Sequence, residues 1–155
     1  MITLNTVIPD FSAITDDNKT IQFSDYRGQN LLLYFYPKDN TAGCTQEAQD
    51  FRDTIAQFSA LNTVILGVSR DSVRTHENFK AKHDLPFDLI ADTNESLCEL
   101  FGVMVIKNMY GKQARGIERS SFLINSDGVL IHQWRKVKVK GHIEAILKVL
   151  ETQSS

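Results

Sequence analysis

The chain has 155 residues, of which 42% are hydrophobic and 23% charged, and this composition excludes a disordered protein and suits one domain over residues 1–155. Its formal charge of −2 leaves no basic excess with which to hold nucleic acid. No apolar run approaches the ~20 residues needed to span a bilayer, so we expect neither a membrane nor a nucleic acid as partner.

The N-terminal part of the chain predicts a small β-hairpin. Short β-prone runs flank the acidic turn at residues 16–18, and residues 24–28 predict a brief helical turn after the hairpin. The N-terminus lacks the charged and apolar regions of a signal peptide, and the two cysteines are too few for a disulfide scaffold. We therefore expect the protein in the reducing cytoplasm.

Residues 31–36 form a continuous apolar run, LLLYFY, which is typical of a strand buried on both faces. Pro37 lacks a backbone N–H and ends this strand. After a turn at residues 38–40, apolar residues recur at helical spacing, with steps of four and three. These residues are Cys44, Ala48, Phe51, Ile55 and Phe58. The spacing places Cys44 in the first turn of a helix that follows a buried strand.

This position would favour a reactive sulfur. The first N–H groups of a helix lack intrahelical partners and carry partial positive charge, which stabilises a thiolate. The hydroxyl of Thr41, three residues earlier, can cap the helix or bind a small polar ligand at the sulfur. A lone cysteine is often just a small apolar residue of the core, so the spacing of Cys44 alone leaves both interpretations open.

The next part of the chain alternates strands and helices. Residues 63–68 and 87–90 predict strands, and a helix capped by Asp71 or Ser72 lies between them. Residues 92–95 predict the cap of another helix. This alternation is typical of a layered α/β domain.

The C-terminal part begins with residues 107–115, which predict a polar, basic loop. Residues 117–124 and 129–134 predict two strands joined by a tight turn at residues 125–128. The last helix is expected at residues 141–150, with one apolar face, before a frayed tail.

The string YFYPKDNTAGCTQEA contains Pro37, Thr41 and Cys44 in a Pro-x-x-x-Thr-x-x-Cys pattern, and it resembles the Q-type branch of the peroxiredoxins, also called bacterioferritin comigratory protein. The stretches GVSRDS, LFGV and IERSSFLINSDG extend the resemblance over most of the chain. The resemblance implies a thioredoxin-like fold, with a central mixed β-sheet flanked by helices and the hairpin as an N-terminal extension. It also implies a peroxidase that reduces hydrogen peroxide and small organic hydroperoxides without a cofactor.

Four residues have catalytic roles under this resemblance. The thiolate of Cys44 attacks a hydroperoxide and becomes a sulfenic acid, while the hydroxyl of Thr41 helps to hold the peroxide oxygens in line. Arg119 matches the family arginine that precedes the Ser-Phe-Leu-Ile strand, and its permanent charge suits thiolate and peroxide alike. Pro37 would shield the sulfur, although the end of a strand also explains a proline there. Glu47 either orients Arg119 or simply favours the helix dipole.

The sequence departs from the family pattern at the second, resolving cysteine. The two positions at which members carry it are Gln49 and Lys80 in this chain. Cys98 remains, and a buried structural role suits it better than a resolving one. We therefore expect a one-cysteine cycle in which an external thiol (thioredoxin, glutaredoxin or glutathione) reduces Cys44. Resolution by Cys98 is the alternative.

Other functions receive less support from the sequence. None of the four histidines has metal-ligand spacing with a cysteine, so we expect no metal site. A disulfide reductase would need a second cysteine close to Cys44. A redox sensor that signals through oxidation of Cys44 stays open as an alternative. No exposed apolar stripe indicates an oligomer, and we expect a monomer.

Overall fold

The computed structural model describes residues 2–153, and its centre is a mixed five-stranded sheet. The strands, including those of two separate hairpins, are β1 (Ser12–Ile14), β2 (Thr20–Gln22), β3 (Asn30–Phe35), β4 (Thr63–Ser69), β5 (Asp88–Ala91), β6 (Met104–Met109), β7 (Lys112–Ile117), β8 (Ser120–Ile124) and β9 (Leu130–Trp134). The helices are α1 (Ala42–Asp53), α2 (Ile55–Ala60), α3 (Val73–His83), α4 (Ser96–Leu100) and α5 (His142–Gln153).

The strand order of the sheet is β5-β4-β3-β8-β9. The central strand β3 pairs in parallel with β4 and antiparallel with β8. All residues of β3 after Asn30 are buried, which confirms the prediction of a strand covered on both faces. The mixed sheet, the flanking helices and the β1–β2 hairpin confirm the predicted fold class.

The two faces of the sheet carry separate cores, because successive side chains of a strand point to opposite sides. Leu32 and Tyr34 of β3 face the core formed with α1, α2, α3 and α5, which includes Cys44. Leu33 and Phe35 face the core formed with α4 and the N-terminal segment, which includes Cys98. The sheet therefore separates the two cysteines.

The predicted helix that carries the apolar residues from Cys44 to Phe58 is interrupted, and this prediction was wrong in that respect. The chain leaves the helix at Thr54, whose hydroxyl donates to the backbone carbonyl of Asp50 at 2.8 Å. Side-chain bonds of this kind from threonine to the preceding turn compete with regular helix geometry. Two shorter helices, α1 and α2, result.

Two further predictions were wrong in the C-terminal half. Residues 107–115 are not a loop but most of the β6–β7 hairpin, whose turn residues Tyr110 and Gly111 both have positive φ, as a type I′ turn requires. The strand predicted over residues 117–124 is broken, because β7 ends at Ile117 and β8 begins at Ser120. Arg119 lies in the break.

The last helix, α5, has its apolar face buried as predicted, but it continues through Gln153, so the tail is shorter than expected. Residues 154–155 of the predicted tail lie outside the described residues. Within residues 2–153 the longest helices, α1 and α5, have 12 residues each, and none could cross a membrane.

Candidate active site

The pairing of β3 with β8 brings distant parts of the sequence together. Phe35 is the register partner of Ser120, and the two strands are antiparallel. The chain that leaves β3 toward Pro37 therefore lies beside the chain that enters β8 from Arg119. Helix α1 starts at the same edge of the sheet, five residues after Pro37.

Cys44 is the third residue of α1, with Thr41 at the N-cap position, so the prediction of a first-turn cysteine is confirmed. Its side chain packs in the core of the α1 face, and the residue is only 2% exposed. The sulfur therefore lies partly among apolar core side chains, as one of the two interpretations of Cys44 predicted. The remaining contact of the sulfur is polar.

The guanidinium of Arg119 joins Cys44 to Glu47. Its Nη2 donates to the Cys44 Sγ at 3.3 Å, and its Nη1 donates to Oε1 of Glu47 at 2.6 Å. Of the two interpretations of Glu47, the contact with Arg119 is the one observed. Gly43 leaves room for this approach, since a Cβ at that position would lie 3.3 Å from Nη2.

Burial governs the charges of this group. Glu47 is 1% exposed, and burial raises the pKa of its carboxyl to about 7 despite the opposing charge of Arg119. Its second oxygen has no hydrogen-bond partner among the described residues, so nothing there offsets the loss of water. Burial alone would lower the pKa of Arg119, but the charges of Glu47 and Cys44 outweigh it and raise the pKa. Arg119 is therefore a permanent cation between two acidic groups.

Thr41 and Pro37 flank the sulfur in sequence. The Thr41 hydroxyl does not cap α1; it donates to the backbone carbonyl of Lys38 at 2.9 Å. A hydroxyl that donates in this way still has lone pairs with which to accept a hydrogen bond. Pro37 is the second residue after the end of β3 and is half-buried. The peroxide-binding role of Thr41 and the shielding role of Pro37 stay predictions.

Two further titratable residues lie near Arg119 and were missed from the sequence. Lys107, on β6, donates to the backbone carbonyl of Ile117 at 2.5 Å; burial, followed by the charge of Arg119, lowers its pKa. The Nε2 atom of His142 is 2.8 Å from the hydroxyl of Ser121, and burial followed by Arg119 lowers the pKa of this histidine to about 4. The placement of Lys107 depends on the β6–β7 hairpin, which was predicted as a loop, and that of His142 depends on how α5 packs against β8.

Cys98 has a different environment. It is fully buried on α4, and its backbone N–H donates to Oδ2 of Asp92 at 2.8 Å. Burial, helped by a hydrogen bond to Asp92, raises the pKa of its thiol. Such a thiol is a poor nucleophile in the folded protein.

Comparison with known proteins supports the same family. Residues 4–133 match the AhpC/TSA family. Peroxiredoxin Bcp of Bacillus subtilis is 50% identical over 146 residues, which cover 94% of this chain and 93% of that protein. Peroxiredoxin Bcp of Xanthomonas campestris is 50% identical over 129 residues, which cover 83% of this chain and 81% of that protein.

Solved structures agree with these relatives. The Xanthomonas campestris bacterioferritin comigratory protein, studied for its alkyl peroxide reduction activity, superposes with a TM-score of 0.89 at 43% identity, covering 94% of this chain and 92% of that chain. A cysteine-to-serine mutant of Xylella fastidiosa PrxQ superposes with a TM-score of 0.95 at 38% identity, covering 100% of this chain and 99% of that chain. The chain therefore belongs to the AhpC/TSA family, as a thioredoxin-fold peroxiredoxin of the Bcp or PrxQ branch, a group of thiol-dependent peroxidases.

Proposed function

We propose that this protein reduces hydrogen peroxide and organic hydroperoxides at Cys44 in a one-cysteine cycle completed by an external thiol. The thiolate attacks one oxygen of the peroxide, an S–O bond forms and the O–O bond breaks. The departing oxygen leaves as water or an alcohol once it has taken a proton. Cys44 is then a sulfenic acid, oxidised by two electrons.

The contact between Arg119 and the sulfur is the observation that carries this proposal. A guanidinium 3.3 Å from Sγ places a permanent positive charge beside the nucleophile and can also donate to a peroxide oxygen next to it. Glu47 fixes the other side of the guanidinium, so the cation is held in place before the substrate arrives. In this proposal the hydroxyl of Thr41 accepts the peroxide's hydrogen bond, and Pro37 limits the access of water.

A stopped-flow experiment tests the peroxide step directly. Reduced protein is mixed with hydrogen peroxide or tert-butyl hydroperoxide, and the sulfenic acid is trapped with dimedone and located by mass spectrometry. We expect a single modification, at Cys44, that Cys44→Ser abolishes. Oxidation at the same rate as a free cysteine peptide would contradict the proposal.

The one-cysteine cycle rests on the separation of the two cysteines. Cys44 and Cys98 lie in the cores of opposite faces of the sheet, whereas a disulfide needs Cα atoms within ~7 Å of each other. Non-reducing mass spectrometry after one equivalent of peroxide should show no Cys44–Cys98 bond, and Cys98→Ser should turn over normally. An intramolecular disulfide as the main product would establish a two-cysteine cycle instead.

The external thiol then completes the cycle. It attacks the sulfenic acid, releases water and forms a mixed disulfide, which a second thiol reduces. Steady-state assays with thioredoxin, with glutaredoxin plus glutathione, and with glutathione alone identify the reductant. We place this cycle in the cytoplasm and assign it to a monomer, which size-exclusion chromatography of the reduced and oxidised protein tests.

A further inference from the structure

A buried carboxylate lies in the loop that joins β3 to α1. Asp39 is 3% exposed, although its neighbours Lys38 and Asn40 are exposed. Both of its carboxylate oxygens are engaged: the Tyr36 hydroxyl donates to Oδ1 at 2.6 Å, and Nδ1 of His76 lies 2.6 Å from Oδ2. A turn residue that points inward and uses both oxygens in this way is anchored to the protein interior.

The partner of Asp39 on α3 is fully buried as well. The Nε2 atom of His76 is 2.9 Å from the backbone carbonyl of Ile90, so each ring nitrogen faces an oxygen that accepts. The contact of 2.6 Å between Nδ1 of His76 and Oδ2 of Asp39 therefore joins two side chains that are both removed from water.

Asp71 holds the backbone of the same loop. Its Oδ2 accepts the backbone N–H of Asp39 at 2.9 Å and the hydroxyl of Ser69 at 2.5 Å. Asp39, Asp71 and His76 bring possible metal-ligand atoms within 4.8 Å of one another, and these hydrogen bonds already use them. The cluster is therefore a set of hydrogen bonds that ties the loop to β4 and α3.

The loop held in this way carries part of the candidate active site. Asp39 lies midway between Pro37 and Thr41, and the Thr41 hydroxyl bonds to the carbonyl of Lys38, the residue before Asp39. Cys44 follows in the first turn of α1. None of the hydrogen bonds of Asp39 or His76 involves Cys44, so any effect on the sulfur acts through the position of the loop.

We propose that Asp39 and His76 are positioning residues that hold the loop of residues 36–41 in the conformation required for attack on the peroxide. The same hydrogen bonds oppose the later step, in which a thiol reduces the oxidised sulfur of Cys44. Cys44 is 2% exposed, so an external thiol reaches its oxidised sulfur only when the first turn of α1 and the loop before it move outward. The pair thus favours oxidation of Cys44 and restrains its reduction. This inference rests on the proposed peroxidase cycle.

Variants that weaken the pair should change the two half-reactions in opposite directions. In Asp39→Asn and His76→Gln we expect the second-order rate of Cys44 oxidation to fall by about tenfold to 100-fold, the cost of ångström-scale misplacement. The rate of reduction of oxidised Cys44 by dithiothreitol should rise by about tenfold, which corresponds to the loss of one buried charged hydrogen bond. His76→Asn keeps a donor near the position of Nδ1, so its oxidation rate should lie between those of His76→Gln and the wild type.

Two further variants keep the test decisive. Tyr36→Phe removes the bond to Oδ1 of Asp39 and a longer contact of 3.4 Å with Nδ1 of His76. It leaves the contact between Asp39 and His76 in place and should give smaller changes of the same signs even if the other variants fold poorly. Lys80 lies on the same helix as His76, and Lys80→Gln removes its ion pairs with Asp16 and Asp88. This variant should leave both rates unchanged.

The outcomes separate the alternatives. Rates within twofold of wild type in folded Asp39→Asn and His76→Gln, or a slowing of both half-reactions together, would overturn the positioning role. Failure of the proposed function looks different, because then the wild-type protein itself would not be oxidised faster than a free cysteine.

Discussion

At the candidate site the guanidinium of Arg119 contacts two acidic groups at once, and a substitution that keeps activity must preserve both contacts. Arg119 reaches Cys44 with one nitrogen and Glu47 with the other. The ammonium group of a lysine is a single point charge on a flexible four-carbon chain and cannot hold both partners in a fixed geometry. The arrangement therefore depends on the planar fork as well as on the charge.

We expect Arg119→Ala to slow oxidation of Cys44 by hydrogen peroxide by about 10²-fold to 10³-fold, the usual cost of removing a preorganised charged donor. Arg119→Lys should recover only part of this loss, because the bond to Glu47 and the bond to Sγ cannot both form. Stopped-flow oxidation of the two variants measures the difference. Unchanged kinetics in Arg119→Ala would remove this residue from the catalytic machinery.

Two buried titratable residues close to Arg119 oppose each other in their effect on stability. Burial raises the pKa of Glu47 from 4.5 to about 7, so between these values the unfolded chain ionises first and stability falls as pH rises. Burial lowers the pKa of His142 from 6.5 to about 4, so over that range stability rises with pH. Each shift corresponds to about 3 kcal/mol at most, and the two nearly cancel between pH 4.5 and 6.5.

Single substitutions should reveal each contribution. In Glu47→Gln the free energy of unfolding should rise with pH between 4.5 and 6.5, because only the histidine remains. In His142→Gln it should fall as pH rises from 4.5 toward 7, because only the carboxyl remains. Urea denaturation at several pH values measures both slopes. Two variants with the same slope as wild type would show that these groups titrate normally.

At the scale of the element, the first turn of α1 contains a residue that lowers helix stability but leaves space for Arg119. Glycine is the poorest helix former after proline, yet Gly43 occupies the second position of α1. A Cβ at this position would lie 3.3 Å from Nη2 of Arg119, tighter than an ordinary contact. The missing side chain leaves space for the guanidinium beside Cys44.

Gly43→Ala should therefore separate stability from activity. We expect the free energy of unfolding to rise by up to about 1 kcal/mol through helix propensity, while oxidation of Cys44 slows because the guanidinium is displaced. Chemical denaturation and stopped-flow oxidation of the same sample give the two numbers. A variant that is both more stable and as fast as wild type would show that the contact is not restrictive.

The elements also show how far the sequence could predict the structure. Apolar runs identified β3 and β4 because both are buried on two faces, and the position of Cys44 in α1 followed from helical spacing. The β6–β7 hairpin was missed because most of its residues are polar or exposed and show no alternation. The break at Thr54 depends on one side-chain hydrogen bond, which no periodicity reveals.

The contacts of the candidate site were predictable only in part. Arg119 was selected by family resemblance, since its spacing resembles that of other arginines near strands. Its contact with Cys44 follows from the β3–β8 register, which the sequence does not specify. Asp39 was interpreted as a turn residue, and only the position of α3 explains why it is buried beside His76.

At the scale of the whole molecule, the central sheet divides the chemistry of the protein into two compartments. One face holds Cys44 with the charged group around Arg119, and the other holds Cys98 on α4, buried beside Asp92. Oxidation of the first sulfur can proceed without involving the second. The one-cysteine proposal is thus a consequence of sheet topology as well as of the empty positions at Gln49 and Lys80.

The complete burial of Cys98 gives this protein a built-in reporter of its own global unfolding. In Cys44→Ser, the remaining thiol should react with a maleimide only when the core of the α4 face opens, so the labelling rate should follow the population of unfolded molecules. Mass spectrometry across a urea series should place the onset of labelling within the unfolding transition seen by circular dichroism. Rapid labelling in native buffer would instead show that the α4 face opens independently of the rest.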